Sequence, residues 1–321
     1  MSSKPTVLVT RQLPEAVEAR LMRDYDARLN SADTIYSTDE LLELAEGVQV
    51  IIPCHTENLR GEVIARLPVS VKAICCFSVG YDHVDLDAAK ARGIIVTNTP
   101  EVLSEATAEI AMLLMLGAAR RGYEAQQQIR TDTWADWTAA HQLGIQVSNK
   151  RLGILGMGRV GLFMAQFARG FGMEIHYYTR SRLTVDVEQG AIYHNSAEEL
   201  FQHSDILSIH CPATPATHHF LNAQRIRLLP DNAIVVNTSR GAIVDDDALI
   251  QALQSGKLFA AGLDVFNNEP NIDPRYKTLT NTFLLPHVGS ATIETRDAMG
   301  FRALDNLDKI VADLTPRDQL V

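Results

Sequence analysis

Short apolar runs alternate with amphipathic stretches along the chain, a pattern that predicts strands alternating with helices. In the first hundred residues, the predicted strands cover residues 6–10, 48–53, 71–77 and 94–97. A helix is expected to open at Pro14 and Glu15, because proline is favoured in the first helical turn. This part of the chain is therefore predicted to form a small α/β unit.

A long apolar segment follows at residues 104–129 and predicts one continuous helix. Its centre, from Ala108 to Leu116, reads Ala-Glu-Ile-Ala-Met-Leu-Leu-Met-Leu and contains a single charged residue. A helix with so little polar surface is expected to be buried, and its position suits a connector between two domains.

The rest of the chain repeats the alternation of strands and helices. The predicted strands cover residues 151–155, 174–179, 206–210, 233–238, 259–265 and 282–285, and one of the connecting helices covers residues 245–254. An amphipathic helix at 292–312 is expected to return its apolar face to the first domain and make that domain discontinuous. The predicted fold class is α/β, with two doubly wound parallel sheets built from residues 1–100 plus 290–321 and from residues 101–289.

Composition narrows the classes of partner. A length of 321 residues suggests two domains, and a formal charge of −10 without basic clusters argues against nucleic acid or an anionic membrane. The N-terminus leads straight into the first strand without a secretory signal, and no apolar run reaches membrane-spanning length, so a cytoplasmic location is expected. The four cysteines, Cys54, Cys75, Cys76 and Cys211, lack metal-ligand spacing and are expected to be buried, reduced thiols, with no metal bound.

A glycine-rich turn follows the strand that begins at Arg151. Gly156 permits a tight turn, Gly158 permits close approach of the backbone to a pyrophosphate, and Gly161 lets the next helix pack on the sheet. The motif alone is weak, because an ordinary strand-turn-helix has the same pattern. A second predicted strand at 174–179 completes a βαβ unit around it, and the context favours a dinucleotide site.

The end of that second strand bears on the choice of cofactor. An acidic residue there would bind the adenosine ribose hydroxyls and repel a 2′-phosphate, but this chain has Thr179, Arg180, Ser181 and Arg182. Two guanidinium groups and two hydroxyls suit a phosphate dianion. The sequence therefore favours NADP over NAD, with NAD still possible and a solvated basic loop as the alternative interpretation.

Three polar residues follow predicted strands at the edge where open α/β sheets bind their ligands. Arg240 suits a carboxylate and its neighbouring carbonyl, and His287 suits proton exchange with an alcohol or a carbonyl near neutral pH. A carboxylate such as that of Glu269 would fix the imidazole tautomer. Each has an ordinary alternative as a strand-end or loop residue, but together, behind a dinucleotide loop, they predict reduction of a 2-oxo acid.

Four motifs in order resemble the D-isomer-specific 2-hydroxyacid dehydrogenases, over nearly the whole chain. These are Gly156-Met-Gly-Arg-Val-Gly161, Asn237-Thr-Ser-Arg-Gly-Ala-Ile-Val-Asp245, Gly262-Leu-Asp-Val-Phe-x-x-Glu-Pro270 and Pro286-His-Val-Gly-Ser-Ala-Thr292. The resemblance implies two Rossmann-like domains, with residues 101–289 binding the dinucleotide and the flavodoxin-like, discontinuous domain binding substrate in an interdomain cleft. The family's catalytic Arg, Glu and His fall on Arg240, Glu269 and His287.

Further contacts are implied by the same resemblance. The backbone N–H groups of Val79 and Gly80 are expected to bind the substrate carboxylate, and Arg240 and His287 are expected to contact the substrate as well. Trp137 is expected to bind substrate too, since it lies on an aromatic loop that in related enzymes reaches a partner subunit's cleft. An alternative for Trp137 is packing between domains. The predicted cofactor contacts are Thr107, Gly156, Gly158, Arg159, Val160, Gly161, Thr179, Arg180, Ser181, Arg182, Cys211, Thr238, Asp264 and Gly289.

Motifs at 78–85 and 97–109 look most like glyoxylate and hydroxypyruvate reductases, a subgroup that often uses NADPH. The expected activity is reduction of a small 2-oxo acid to the D-2-hydroxy acid by a homodimer. Cys54 and His55 lie in a loop that varies among related enzymes, so a reductase of 2-ketogluconate, phenylpyruvate or another 2-oxo acid stays open. A non-catalytic dinucleotide sensor or corepressor is the alternative from another class.

Overall fold

The computed structural model describes residues 4–321 and divides into two compact units. One unit comprises Met1–Leu103 and Ser290–Val321, and the other comprises Ser104–Gly289. The first three residues of the predicted N-terminal segment lie outside the described residues. Each unit is built on a parallel sheet with helices on both faces, which confirms the predicted α/β fold class.

The strands and helices alternate along the chain. The strands are β1 Thr6–Val9, β2 Asp26–Arg28, β3 Val50–Ile52, β4 Ala73–Cys75, β5 Ile95–Thr97, β6 Arg151–Leu155, β7 Glu174–Tyr178, β8 Ile192–Tyr193, β9 Ile206–Ile209, β10 Ala233–Asn237, β11 Leu258–Leu263 and β12 Thr282–Leu284. The α-helices are α1 Glu15–Asp24, α2 Thr38–Leu44, α3 Gly61–Arg66, α4 Leu86–Ala91, α5 Ser104–Ala119, α6 Gly122–Arg130, α7 Arg159–Arg169, α8 Val185–Glu188, α9 Ala197–Gln202, α10 Ala223–Ile226, α11 Asp246–Gln254 and α12 Ile293–Val311. Short 3-10 helices lie at Gly241–Ile243 and Pro274–Thr278.

The first unit has five parallel strands in the order β2-β1-β3-β4-β5. Apolar residues of α1 and α12 cover one face of this sheet, and those of α2, α3 and α4 cover the other. Helix α12 lies close to α1, because Gly300 leaves no Cβ where Val17 packs. The helix is thus an integral part of this unit although nearly two hundred residues separate it from β5.

The second unit has seven parallel strands in the order β12-β11-β10-β9-β6-β7-β8. Helices α5 and α7 pack on one face, and α9, α10 and α11 pack on the other. The strand order reverses between β6 and β9, and the crevice beyond the carboxyl ends of two such strands is the usual ligand site of an open α/β sheet.

The prediction of one helix over residues 104–129 is wrong. Helix α5 ends at Ala119, and Arg121 has a left-handed φ of 53° before α6 begins at Gly122. The Phe283 ring lies against Gly117, and the Ile145 N–H donates to the Ala119 carbonyl at 2.8 Å, so the turn is held by tertiary contacts. In the sequence the break is marked only by Arg120, Arg121 and Gly122, and a single glycine within a helical pattern does not by itself indicate the end of a helix.

The sequence analysis also missed two short strands, both at sheet edges. Strand β2 is the polar tripeptide Asp26–Arg28 at a sheet edge, and β8 is only two residues long at the edge of the other sheet. Edge strands of this kind lack the apolar run by which buried strands are recognised.

Two of the four cysteines are less buried than the sequence analysis expected. Cys75 and Cys76 are buried, Cys54 and Cys211 are partly exposed, and all four are free thiols. Burial raises the pKa of Cys54 and of Cys75 to about 12. From residue 4 to residue 321, no helix is both long enough and apolar enough to cross a membrane.

Gly262 allows the central strand β11 to approach α5. A Cβ on Gly262 would lie 2.7 Å from the Leu114 carbonyl oxygen and 2.8 Å from its Cβ. Because the atoms in the way belong to a helix backbone, we expect Gly262→Ala to destabilise the protein by about 3 kcal/mol, measured by urea unfolding.

Gly170→Ala is the matched control for that variant. Gly170 has a helical φ of −60°, and the nearest atom to its added Cβ is the Phe167 oxygen at 3.1 Å. We expect a change within about 1 kcal/mol. Equal losses in the two variants would contradict the assignment of Gly262 to close packing.

A second prediction concerns His210, which directly follows β9. Its Nε2 lies 2.8 Å from the Ser208 hydroxyl, its Nδ1 lies 3.4 Å from the Thr238 hydroxyl, and burial lowers its pKa to about 4. The unfolded chain has an ordinary imidazole pKa near 6.5 and therefore binds more protons than the folded chain as the pH falls. The stability that the neutral, buried His210 contributes is present above pH 6.5 and is lost as the pH falls towards 4.

We expect His210 to account for about 2 kcal/mol of the stability lost between pH 8 and pH 5. The measurement is the free energy of unfolding against pH for the wild type and for His210→Asn, which should have a shallower slope. His141→Asn serves as the control, because that ring is already exposed in the folded chain. Parallel slopes for the wild type and His210→Asn would show that His210 is not the group responsible.

Candidate active site

The glycine-rich turn begins where β6 ends. Gly156 has a φ of +99°, and a Cβ there would lie 2.6 Å from the Cys211 nitrogen. A Cβ on Gly161 would lie 2.5 Å from the Gly156 oxygen, whereas a Cβ on Gly158 would meet nothing within 4 Å. Two of the glycines therefore allow backbone contacts, and the third borders open space at the start of α7.

This turn fits the phosphates of a dinucleotide. Gly158 caps the eleven-residue helix α7, and the first turn, which contains Arg159 and Val160, has no acidic residue. The helix N-terminus thus offers N–H groups and a positive dipole end to an anion. Cys211 lies across the crevice at the point where the strand order reverses, and its carbonyl accepts a hydrogen bond from the hydroxyl of Ser239, beside Thr238.

The segment after β7 carries the two arginines predicted for the 2′-phosphate. The Arg180 and Ser181 side chains are exposed. Arg182 instead forms a bidentate ion pair with Glu188, with Nε–Oε1 at 2.8 Å and Nη2–Oε2 at 3.1 Å. Sequence reasoning missed Glu188, since nothing in the spacing of an isolated glutamate in a polar stretch indicates a buried partner for this arginine.

The Glu269 and His287 side chains meet at the carboxyl edge of the same sheet. His287 Nδ1 lies 2.6 Å from Glu269 Oε2, and Glu269 Oε1 accepts the Phe266 N–H at 2.7 Å. Both side chains are roughly a quarter exposed. A carboxylate at Nδ1 favours a proton on that nitrogen and leaves Nε2 as the atom that exchanges a proton with a ligand.

Asp264 fixes the backbone around His287. This carboxylate is 1% exposed, and its two oxygens accept the N–H groups of Val288 and Gly289 at 2.8 Å each. The Asp264 carbonyl also accepts the His287 N–H at 2.9 Å. Burial raises the pKa of this carboxyl, although the two N–H groups and the His287 charge oppose the effect. A Cβ on Gly289 would lie 3.5 Å from Thr107 and 3.1 Å from an oxygen of Asp264, so the predicted cofactor contacts at Thr107, Asp264 and Gly289 lie together.

Arg240 follows β10 on a turn fixed by Asn237. The Asn237 amide donates to the Arg240 carbonyl and accepts the Ser239 N–H, both at 2.9 Å. A Cβ on Gly241 would overlap the backbone of Phe266, so this turn packs directly against the segment that leads to Glu269. The arginine therefore occupies the same sheet edge as the Glu269–His287 pair, and Asn237 is a further residue that sequence reasoning passed over.

Of the remaining predicted residues, Val79 and Gly80 belong to the first unit and Trp137 belongs to the second. In the first unit, the carbonyls of Val79 and Gly80 accept hydrogen bonds from Asn98 Nδ2 at 2.8 Å and Ser78 Oγ at 2.7 Å. No acceptor for the Val79 or Gly80 N–H group occurs among residues 4–321. In the second unit, the Trp137 side chain is 77% exposed.

Comparison with known proteins places this geometry in a family. The family model "D-isomer specific 2-hydroxyacid dehydrogenase, NAD binding domain" matches residues 112–289, more than half of the chain. A glycerate dehydrogenase from Hyphomicrobium methylovorum is 44% identical over 310 residues, which cover 96% of each chain.

Two crystal structures are similar over almost the full length. One, from Polaromonas sp. JS6 66, has a TM-score of 0.95 at 46% identity and covers 99% of this chain and 100% of its own. The other, an NADPH-dependent glyoxylate/hydroxypyruvate reductase from Sinorhizobium meliloti in complex with NADP and malonate, has a TM-score of 0.88 at 32% identity and covers 99% and 97%. The chain belongs to the D-isomer specific 2-hydroxyacid dehydrogenase family.

Proposed function

We propose that this protein reduces a small 2-oxo acid, glyoxylate or hydroxypyruvate, to the 2-hydroxy acid of D configuration with NADPH as the preferred cofactor. The observation that carries the proposal is the 2.6 Å contact between Glu269 and His287, at the sheet edge that also bears Arg240 and the dinucleotide turn. The names of the Hyphomicrobium and Sinorhizobium relatives support this substrate class.

The cofactor is assigned to the crevice at the ends of β6 and β9. The N-terminus of α7 would hold the pyrophosphate, and Thr179, Arg180, Ser181 and Arg182 form the segment proposed to face the 2′-phosphate. Thr107, Asp264 and Gly289 would form the nicotinamide contact, and Thr238 is a further proposed cofactor contact. When bound, the nicotinamide supplies the hydride for the carbonyl carbon of the substrate.

The protein's own groups handle the substrate and the proton. Arg240 and the N–H groups of Val79 and Gly80 would bind the substrate carboxylate and orient the adjacent carbonyl. Protonated His287 donates from Nε2 to the alkoxide oxygen, while Glu269 holds the Nδ1 proton and stabilises the imidazolium. Arg240 stabilises the negative charge that develops on that oxygen.

We further propose that the protein is a homodimer. Trp134, Trp137 and Leu143 are more than half exposed on the segment after α6, and Ile129 on α6 is 63% exposed. Exposed large apolar residues concentrated on one segment are typical of a surface that binds a partner. Light scattering at several protein concentrations measures the mass, and a monomer at all concentrations would exclude the dimer.

The test of the activity is a panel of initial rates. NADPH and NADH are each combined with glyoxylate, hydroxypyruvate, pyruvate, 2-ketogluconate and phenylpyruvate, and the absorbance of the reduced cofactor is followed. Fast NADPH oxidation with the first two acids supports the proposal. A preference for a bulkier acid would reassign the substrate, and no turnover with any acid would favour a dinucleotide sensor or corepressor.

We expect Arg240→Ala to lower kcat/KM for the best 2-oxo acid by about 1000-fold or more, because substrate binding and charge stabilisation are lost together. Binding of NADPH, measured by fluorescence titration, should change much less. Arg60→Ala, which removes an exposed arginine from the first unit, is the control. Retention of most of the turnover by Arg240→Ala would remove this residue from the proposed mechanism.

The variant Asp264→Asn tests whether the Asp264 carboxylate positions His287. An amide in this place directs an NH2 group at the N–H of Val288 or Gly289, which misplaces the His287 turn. We expect kcat to fall by about 10- to 100-fold with a smaller change in the KM of the 2-oxo acid. A normal kcat would show that this carboxylate does not position His287.

A further inference from the structure

The feature that carries a further inference is the carboxylate of Glu188. This residue ends the short helix α8, and its side chain is 5% exposed although its neighbours Val185 and Val187 are exposed. The hydroxyl of the fully buried Tyr177 donates to Oε1, and the guanidinium of Arg182 donates to both carboxylate oxygens. Glu188 thus has a strong donor on each oxygen.

This arrangement also fixes the backbone of the segment that follows β7. The Tyr177 hydroxyl oxygen accepts the Leu183 N–H at 3.1 Å, and the Arg182 guanidinium lies 5.8 Å from the centre of the Tyr193 ring. Arg182 and Tyr177 lower the pKa of the Glu188 carboxyl, so the group is a carboxylate at neutral pH. Arg182 is therefore neutralised by a neighbour and is held in place on two sides.

Arg180 lies only two residues earlier. Both arginine side chains are exposed, that of Arg182 by 61%, but in the described part of the chain Arg180 forms no ion pair or hydrogen bond. The two arginines and Glu188 together leave one net positive charge on this segment. A guanidinium that already binds a carboxylate in bidentate fashion gains less from a second anion, because two of its five N–H donors are in use and its charge is compensated.

We propose that Glu188 is a positioning residue that sets the strength of 2′-phosphate recognition. Its ion pair keeps Arg182 in a structural role, and Arg180 is left as the guanidinium that contacts the phosphate. The inference rests on the proposed preference for NADPH and refines it. Glu188 limits the discrimination between the two cofactors, because it removes one positive charge from the segment that would face the phosphate dianion.

The test is equilibrium binding of NADP+ and NAD+ to the whole protein, measured by calorimetry without substrate. Glu188→Gln keeps the shape of the side chain and removes its charge, so we expect the ratio of Kd for NAD+ to Kd for NADP+ to rise about fivefold or more, through tighter NADP+ binding. The double variant Glu188→Gln/Arg182→Gln restores the net charge and should return the ratio to that of the wild type. Arg180→Gln should lower the ratio by about tenfold or more.

Glu198→Gln is the matched control. Glu198, on α9 of the same unit, also forms an ion pair with an arginine, Arg225, at 2.9 Å, although it is more exposed than Glu188, and its loss should leave the ratio unchanged. An equal change for NAD+ and NADP+ in Glu188→Gln would overturn the proposal and leave Glu188 a purely structural role. Selective weakening of NADP+ would also overturn it, because Arg182 would then need Glu188 to reach the phosphate.

Two further measurements keep the outcome decisive. Thermal unfolding of each variant shows whether it folds. If Glu188→Gln does not fold, Arg182→Gln tests the role of Glu188 in its place. In that variant the Glu188 charge is no longer compensated by Arg182, so the binding of NADP+ should weaken and that of NAD+ should not. Unchanged or tighter NADP+ binding in that variant would contradict the proposal. The wild-type ratio separately decides the preference for NADPH, whereas the change of the ratio in the variants decides the role of Glu188.

Discussion

Direct contact between backbone segments at the carboxyl edge of the seven-stranded sheet is the constraint on which the site depends. Gly156 lies against the start of the turn after β9, and Gly241 lies against the turn after β11, in both cases without room for a Cβ. Because main chain rather than side chains fills these contacts, the turns hold one another at van der Waals distance. The turns that carry Arg240, Glu269 and His287 are thereby fixed at this edge, where we propose that the ligands bind.

A second set of polar groups lies behind this edge and orients the turns that carry Arg240 and His287. Asn237 fixes the Arg240 turn and Asp264 fixes the His287 turn, and each is almost completely buried. A buried carboxylate is costly unless its oxygens are satisfied, and two backbone N–H groups satisfy those of Asp264. The free energy lost by burying these groups is thus offset by hydrogen bonds that also position the imidazole of His287, the proposed proton donor.

Much of the architecture could be predicted from the sequence, because buried parallel strands are marked by apolar runs and their ends by glycine or polar residues. The αβ alternation, the glycine turn and the return of the final helix all follow from such local signals. The break at Arg121 and the two-residue strand β8 depend on tertiary contacts, so periodicity did not reveal them. Of the site, the sequence indicated Arg240, Glu269 and His287 by their place after strands, but Glu188 and Asn237 act through partners that only folding brings near.

The composite construction of the first unit has a consequence for how the chain acquires its structure during synthesis. The Leu320 N–H donates to the Val96 carbonyl at 2.8 Å, and α12 covers, together with α1, one face of the sheet formed by residues 6–97. The ribosome therefore releases the first strands well before their partner helix exists, and at ordinary elongation rates the delay is on the order of 10 seconds or more. The contiguous unit Ser104–Gly289 is complete earlier, so it can fold first while the older segment waits with one apolar face only partly covered.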